Sequence, residues 1–142
     1  MSIVENKAIV RRQRLEMYGQ GKVELAEEIF ASKVIAAFQS SDPMEVDPEF
    51  FRQNIIAWRN AFHDTNITIE HLIADGDEVA ECWTWRGTHK GEFWGFPPTG
   101  KQAIVMGSGF YRIEDGKIVE VRGIWDANGL LEQLGFFSLP DE

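Results

Sequence analysis

One long loop-like stretch connects two predicted strands: Gly87-Thr88-His89-Lys90-Gly91-Glu92-Phe93-Trp94-Gly95-Phe96-Pro97-Pro98-Thr99-Gly100-Lys101. It combines four glycines, two prolines and three aromatic residues with one of the three histidines of the chain. Ordered loops of this length are more often functional than accidental. The alternative is a well-packed surface loop whose Pro-Pro-Thr-Gly end is a rigid turn. The stretch is therefore either a binding loop or a structural connection.

Strand-like segments extend in both directions from this loop. Residues 79–89 and 102–113 flank it, and residues 67–73 and 118–125 lie one Asp-Gly turn further out on each side. Asp-Gly between alternating apolar runs is a strong hairpin signal. Residues 33–39 form a further β-segment nearer the N-terminus. The second half of the chain therefore predicts an antiparallel meander.

Helical spacing of apolar residues precedes the meander. It predicts three N-terminal helices at residues 2–18, 23–30 and 48–62, and a short closing helix at 130–134 is followed by a tail at 136–142. Helices followed by an antiparallel meander are typical of an α+β domain in which the helices cover one face of a curved sheet. We expect a cavity between the two layers.

Length and composition indicate one domain spanning residues 1–142. An apolar share of 44% is enough for a core without disulfides or metals. Five Trp, ten Phe and two Tyr exceed what a minimal core requires. Aromatic side chains favour pockets and interfaces, so we expect an apolar ligand cavity or a subunit interface.

The charge argues against two classes of partner. A formal charge of −9 disfavours binding to nucleic acid or to anionic membranes, because both depend on clustered Lys and Arg. Cys82 is the one cysteine, which excludes an intrachain disulfide. Because it lies in a strand-like run without a Cys or His at metal spacing, we expect a buried, inert thiol rather than a nucleophile. No apolar N-terminal run resembles a secretion signal or a membrane span. We expect a cytoplasmic protein.

The sequence resembles the SnoaL-like group of polyketide and ester cyclases, which share the cone-shaped fold of the nuclear-transport-factor-two-like superfamily. The likeness runs from about residue 58 to 135, and the motifs that carry it in this order are Ala61-Phe62-His63-Asp64, Ile67-Thr68-Ile69-Glu70, Gly76-Asp77-Glu78-Val79, the first part of the opening stretch from Gly87 to Phe93, Pro97-Pro98-Thr99-Gly100-Lys101, Arg112-Ile113-Glu114-Asp115-Gly116-Lys117-Ile118-Val119-Glu120 and Gly129-Leu130-Leu131-Glu132-Gln133-Leu134-Gly135.

The resemblance implies three helices packed on a strongly curved antiparallel sheet, a short C-terminal helix, a deep pocket between them and often a homodimer. The fold itself carries little functional information, because the same cone hosts cyclases, isomerases, hydratases and non-catalytic binders. The cyclases of the group close a ring by intramolecular aldol condensation. They use a carboxylate or a histidine as acid and base, with no metal and no organic cofactor.

The last hairpin predicts the wall of the pocket. If its turn is a three-residue loop with a glycine bulge, Ile113 pairs with Lys117 and the odd-numbered residues of both strands share one face. We expect that face to contact the ligand. Its residues are Val105, Gly107, Gly109, Tyr111, Val119, Val121, Gly123 and Trp125. Its glycines either leave volume for a ligand or simply let the sheet bend.

Four aromatic residues outside that hairpin complete the predicted ligand site. Trp58 and Phe62 lie on one face of the third helix, and Trp83 and Trp85 share the strand parity of His89. Trp58, Phe62 and Trp85 are therefore included among the substrate-binding candidates, with Tyr111, Trp125, Gly109, Gly123 and Val121. Packing in the core or against a second subunit is the alternative for the indoles.

The acid and base of the reaction are harder to place. The resemblance implies a histidine and an aspartate on the two strands of the last hairpin, and ungapped counting places them near Gly109 and Gly123. General acid/base catalysis needs a titratable group within hydrogen-bond reach of the reacting centre. Asp126 and His89 are the remaining catalytic candidates. Capping of the closing helix is the alternative for Asp126, and bonding to backbone in a Gly-rich turn is the alternative for His89.

The sequence thus supports two functional hypotheses. The first is a cofactor-independent cyclase, or a related isomerase or hydrolase, for a small hydrophobic carbonyl compound of polyketide or terpenoid type, with Tyr111 as an orienting donor. The second is a non-catalytic binding or accessory protein that keeps the hydrophobic pocket without the acid/base pair. No metal site is expected, because no two of His63, His71 and His89 have ligand-like spacing.

Overall fold

The computed structural model describes residues 2–136, so the predicted tail lies outside the described residues beyond Phe136. The α+β class and the cone-shaped arrangement of helices on a curved sheet are confirmed. The first helix, α1, spans Ile3–Arg12 and continues as a π-helical segment, Gln13–Tyr18. A short 3₁₀ turn leads into α2, Ala26–Ile29. The remaining helices are α3, Pro48–Ala61, and α4, Ala127–Gln133.

Six strands form one sheet. They are β1, Phe30–Phe38, β2, Met44–Val46, β3, Asn66–Asp75, β4, Glu78–Thr88, β5, Gln102–Glu114, and β6, Lys117–Trp125. Their order across the sheet is β2-β1-β6-β5-β4-β3. The meander from β3 to β6 is antiparallel as predicted, whereas β1 pairs with β6 in parallel. The short edge strand β2 was not predicted, and β1 begins earlier than the predicted segment.

The hairpin between β5 and β6 differs from its prediction. Asp115 and Gly116 both have positive φ, which gives a two-residue turn in which Glu114 pairs with Lys117. The predicted pairing of Ile113 with Lys117 is therefore wrong, since Ile113 pairs with Ile118. A bulge follows, where the register shifts between Ile113 and its neighbour Arg112. Beyond the bulge, odd-numbered residues of the two strands oppose each other, as in the predicted face.

Helix α3 positions one wall of the space between the layers. The Asp47 side chain accepts a hydrogen bond from the backbone N–H of Phe50 at 3.0 Å, and Pro48 occupies the first turn. Phe51 and Ile55 are buried on one face of the helix. The ring of Phe51 stacks on Phe30 of β1, with centroids 3.9 Å apart. This packing fixes α3 over the β1 side of the sheet.

The buried residues form two hydrophobic clusters. One cluster joins α1, α2 and α3 to the sheet through residues such as Ile55, Val121 and Ile118. The other joins the end of α3 to the loop and to α4 and includes Phe62 and Leu130. No helix within residues 2–136 is long and apolar enough to cross a membrane.

Candidate ligand cavity

A cavity of about 340 Å³ lies between the helices and the inner face of the sheet. All five tryptophans of the chain contribute to its wall: Trp58, Trp83, Trp85, Trp94 and Trp125. Its polar wall residues are Arg14, Tyr18, Gln39, Asn54 and Ser108. The wall is thus mostly aromatic, with a small number of polar groups.

Four of the indoles contact one another, two pairs edge-to-face and one pair in a tilted arrangement. Trp58 of α3 lies at the centre, with ring centroids 5.0 Å from Trp85 and 5.4 Å from Trp125. Trp94 reaches Trp125 from the loop, with centroids 5.6 Å apart. Contacts of this geometry are worth about 0.5–1.5 kcal/mol each beyond the area that they bury. The rings are therefore held in place before any ligand enters.

Trp94 closes one side of the cavity from the opening stretch of the sequence. It has positive φ, an uncommon conformation for a bulky residue, and its ring stacks on Phe93. Phe93 is buried and forms a β-bridge with Phe96 that folds the loop back on itself. Trp94 remains 58% exposed. The loop therefore carries an indole at the rim of the cavity.

A buried ion pair stands at the helix side of the cavity. Arg14 Nε and Nη2 donate to the same carboxylate oxygen of Glu81, at 3.0 and 2.7 Å. Arg14 Nη2 also donates to the Tyr111 hydroxyl at 2.9 Å, and that hydroxyl donates to Glu81. The Glu81 side chain has no solvent exposure. The π-helical segment that continues α1 is thereby linked to β4 by a buried ion pair and to β5 by a hydrogen bond.

Two aromatic rings enclose the guanidinium of Arg14. Its central carbon lies 4.9 Å from the ring centroid of Tyr18 and 4.7 Å from that of Trp83. Burial alone would lower the pKa of Arg14, but the adjacent Glu81 carboxylate outweighs burial and raises it. Burial also raises the pKa of Tyr18 and, further, that of Tyr111. Arg14 is therefore a cation and both tyrosines are neutral phenols.

The glycines of β5 leave room for rings of the protein itself. A Cβ at Gly107 would overlap the Trp83 ring, and one at Gly109 would lie 2.9 Å from Cε2 and the hydroxyl of Tyr111. Both rings therefore lie flat across strand positions that have no side chain. Gly123 pairs with Gly109 across the ladder and does line the cavity. A Cβ at Gly123 would lie 3.2 Å from the Phe38 ring, so this glycine also allows close packing of an aromatic ring.

The predicted substrate-binding residues fall into two groups. Trp58, Trp85, Trp125 and Gly123 line the cavity. The other residues lie behind its wall: Phe62 packs on Trp58 and Trp85, and the remaining three are Gly109, Tyr111 and Val121. A role in ligand binding stays a prediction for each of them.

The two predicted catalytic residues are not brought together at the cavity. Asp126 caps α4, its carboxylate accepting from the backbone N–H of Gly129 at 2.9 Å, and it is exposed. His89 is buried beneath the loop, between Phe62 and Phe136. Within residues 2–136, neither is among the residues that line the cavity. Their catalytic role stays a prediction.

The ring of His89 is held by its own loop. Nδ1 accepts a hydrogen bond from the backbone N–H of Thr99 at 3.3 Å and lies 3.1 Å from the Thr99 hydroxyl. Nε2 is buried without a hydrogen-bond partner. Burial lowers the pKa of His89, so the neutral form is favoured. These contacts join the two ends of the loop.

Sequence reasoning missed Arg14 and Glu81. Arg14 lies among other basic residues of the first helix, where periodicity indicates a solvated side. Glu81 did carry a signal, because it shares strand parity with Val79, Trp83 and Trp85, all buried. A carboxylate on the apolar face of a strand predicts a buried partner. Within residues 2–136, no group of three His, Cys, Asp or Glu residues is arranged to hold a metal ion.

Comparison with known proteins identifies the family. The profile of the SnoaL-like polyketide cyclases matches residues 8–134, and the chain belongs to that family. A proposed polyketide cyclase from Acidithiobacillus ferrooxidans is 31% identical, with a TM-score of 0.82, over 94% of this chain and 97% of that chain. IdmH, a proposed polyketide cyclase from Streptomyces antibioticus, is 28% identical, with a TM-score of 0.78, over 92% and 98% of the two chains.

A third solved structure is similar to this chain in its fold. AclR from Streptomyces galilaeus, a proposed hydroxylase, has a TM-score of 0.84 at 24% identity, over 98% of this chain and 87% of that chain. None of the curated proteins matches this chain significantly. These structures share one fold but have different proposed activities, so the fold alone does not determine the reaction.

Proposed function

We propose that this protein is a cofactor-independent cyclase, or a related isomerase or hydrolase, that acts on a small hydrophobic carbonyl compound in the tryptophan-lined cavity. Membership of the SnoaL-like polyketide cyclase family supports the reaction class. The aromatic wall supports a planar apolar substrate, because indole faces and edges bind flat rings well.

The observation that carries the proposal is the stacked Arg14 guanidinium at the wall of an otherwise mostly aromatic cavity. Charge-assisted donors in a water-poor site stabilise the oxygen of a carbonyl as negative charge develops on it. Tyr18, a neutral phenol at the same wall, donates to Asn54 Oδ1 over a long 3.4 Å contact, which a ligand oxygen would replace. Arg14 and Tyr18 are therefore the proposed orienting groups, in place of Tyr111, whose hydroxyl is engaged by Glu81.

Binding is tested by a thermal-shift and native mass spectrometry screen against planar aromatic polyketide-like ketones and terpenoid ketones. Trp94→Ala removes an indole from the cavity rim, and Ile73→Ala is its control, because Ile73 is a similarly exposed apolar residue (65%) that does not line the cavity. We expect Trp94→Ala to weaken a hit and Ile73→Ala to leave it unchanged. Equal weakening by both substitutions would place the ligand elsewhere.

Turnover of confirmed ligands is followed by mass spectrometry of the products. Asp126→Asn and His89→Ala test the two acid/base candidates, since general acid/base catalysis contributes about 10²- to 10⁴-fold. Asp126 directly follows Trp125, which lines the cavity, and is the nearer of the two candidates in sequence to that wall. Unchanged turnover in both variants would remove both residues from the mechanism.

A non-catalytic binding or accessory protein is the second candidate. One observation favours it: within the described part of the chain, no carboxylate or imidazole lines the cavity. Glycines also occupy positions 109 and 123, where the family resemblance implies the acid/base pair. Ligands that bind tightly but are recovered unchanged with the wild-type protein would support this candidate over the enzyme.

We further propose a cytoplasmic homodimer that uses the outer face of the sheet. Ile104, Met106 and Phe110 are exposed there, on the face of β5 opposite the buried Val105 and Tyr111. Exposed apolar side chains grouped in this way are typical of an interface. Light scattering should give twice the chain mass for the wild-type protein, and Phe110→Arg should shift it towards the monomer.

A further inference from the structure

The Arg14 guanidinium has one edge that the protein leaves open. Its Nε and Nη2 donate to Glu81 and Tyr111, whereas Nη1 donates to no acceptor within residues 2–136. The rings of Tyr18 and Trp83 lie 4.9 and 4.7 Å from the central carbon of the guanidinium. Nη1 is therefore the guanidinium nitrogen left for an additional acceptor, and Arg14 lines the cavity from which a ligand would enter.

The chemistry of that edge favours an oxygen that carries charge. Arginine is the side chain that best matches planar oxyanions, and hydrogen bonds between two charged groups are roughly twice as strong as neutral ones. The Glu81 charge lies on the other edge of the guanidinium, where one of its oxygens accepts from Nε, Nη2 and the Tyr111 hydroxyl. An oxyanion at Nη1 would thus be closer to the cation than to this carboxylate.

The rest of the wall presents no competing negative charge. The chain has 23 Asp and Glu residues and a formal charge of −9, yet none of the described residues that line the cavity is acidic. Its other polar groups are the neutral Tyr18, Gln39, Asn54 and Ser108. A site for a cation would have the opposite arrangement, because a buried guanidinium repels a second positive charge.

We propose that the cavity selects planar, largely apolar compounds that carry an anionic oxygen, with Arg14 Nη1 as the group that recognises it. The inference rests on the proposed function, since it names the ligand class of the same cavity. The oxygen belongs either to a carboxylate or to an ionised enol, and both present the same chemistry to the guanidinium. The five indoles hold the flat body of the compound.

Two matched pairs of probes test the proposal by isothermal titration calorimetry at neutral pH. The carboxylate pair is 2-naphthoate and its methyl ester, and the enolate pair is 2-hydroxy-1,4-naphthoquinone, an acidic enol, and its methyl ether. We expect the anion to bind about tenfold more tightly than its uncharged partner in at least one pair, as a charged hydrogen bond predicts. The pair that shows the preference identifies the source of the oxygen.

The variant that tests the role of Arg14 must also keep the fold. Arg14→Met with Glu81→Leu removes both charges and leaves neither buried alone, and its folding is checked by circular dichroism. We expect this double variant to lose the preference for the anion, because the affinity of each anionic probe should fall to that of its uncharged partner. Arg14→Lys, which keeps the charge without the planar fork, should retain part of the preference.

Three results would overturn the proposal. The first is equal binding of the charged and uncharged probes by the wild-type protein, which leaves the proposed carbonyl-binding function standing. The second is an anion preference that persists in the folded double variant, which would exclude Arg14 as its source. The third is the absence of binding by all four probes, and the ketone panel then decides independently whether the proposed function fails as well.

Discussion

The protein buries two titratable sites in opposite ways: the ion pair of Arg14 and Glu81, and the single imidazole of His89. At the cavity, two full charges are kept and paired. Beneath the loop, a single imidazole is kept neutral. Each site also buries one atom without a hydrogen-bond partner, a carboxylate oxygen of Glu81 in the first and Nε2 of His89 in the second. The difference shows how strongly a buried charge depends on its partner.

The two sites also differ in how far apart their partners lie in the sequence. Arg14 and Glu81 are 67 positions apart and connect the N-terminal helical segment to β4 of the sheet. His89 and Thr99 are 10 positions apart and close one loop on itself. Loss of the first contact should therefore affect the whole domain, and loss of the second should affect mainly the loop that carries Trp94.

The largest effect is expected from Arg14→Met. It leaves the fully buried Glu81 carboxylate without its cation, and breaking a buried pair from one side costs about 3–5 kcal/mol. Urea unfolding followed by circular dichroism measures the change. The double variant Arg14→Met/Glu81→Leu is the control and should regain most of the loss, because a well-packed apolar pair replaces the ions. A single variant as stable as the wild-type protein would show that Glu81 is hydrated or protonated when alone.

The sequence predicts one of these sites better than the other, and the reason is physical. His89 and its loop were singled out because glycine, proline and aromatic residues concentrate there, a local pattern. The ion pair depends on which strand face meets which turn of α1, and no local pattern encodes that. The strand parity of Glu81 indicated burial, but it could not name a partner 67 positions away.

The register of the last hairpin shows a similar limit. Alternation predicted correctly that Tyr111, Gly109 and Gly123 share a face, because the period of a strand is two residues. The turn type was wrong, since Asp115 adopts positive φ and shortens the loop to two residues. The bulge beyond it restores the predicted face with a different pairing. The sequence thus predicts which residues share a face of the sheet, whereas their cross-strand partners depend on the geometry of the turn and the bulge.

A smaller loss is expected from Tyr111→Phe, which keeps the ring over Gly109 and removes only the hydroxyl. That hydroxyl donates to Glu81 and accepts from Arg14, and hydrogen bonds to charged groups contribute about 1.5–3 kcal/mol. The same urea titration should show a loss in this range. A loss that disappears when the substitution is made in the Arg14→Met/Glu81→Leu background would confirm that the hydroxyl acts through the ion pair.

At the second site, Thr99→Val should cost less. It replaces the hydroxyl that lies 3.1 Å from His89 Nδ1 and accepts from the backbone N–H of Lys101, at nearly constant shape. Neutral hydrogen bonds contribute about 0.5–1.5 kcal/mol. Hydrogen exchange should report faster exchange in the loop, with little change in β4 and β5. Uniformly faster exchange across the sheet would contradict the idea that this site stabilises the loop alone.

The smallest effect concerns the pH dependence of His89. Burial lowers its pKa in the folded protein below the ordinary 6.5, so the unfolded chain binds the proton more readily. The stability that the neutral ring contributes is therefore complete at neutral pH and is lost as the pH falls below about 6.5, with a slope of at most about 1.4 kcal/mol per pH unit.

The variant His89→Gln lacks this titratable group, so a comparison with the wild-type protein isolates the contribution of His89. We expect the wild-type protein to lose more stability than His89→Gln when urea unfolding is repeated from pH 7 to pH 5. His63 and His71 are exposed and present in both proteins, so the difference between the two curves reports on His89. Asp64, whose pKa is lowered by its hydrogen bond from the Thr88 side chain, titrates in more acidic solution than this window. Parallel curves would mean that the loop opens and the His89 ring is hydrated before it gains a proton. The two buried sites would then no longer differ in how they respond to charge.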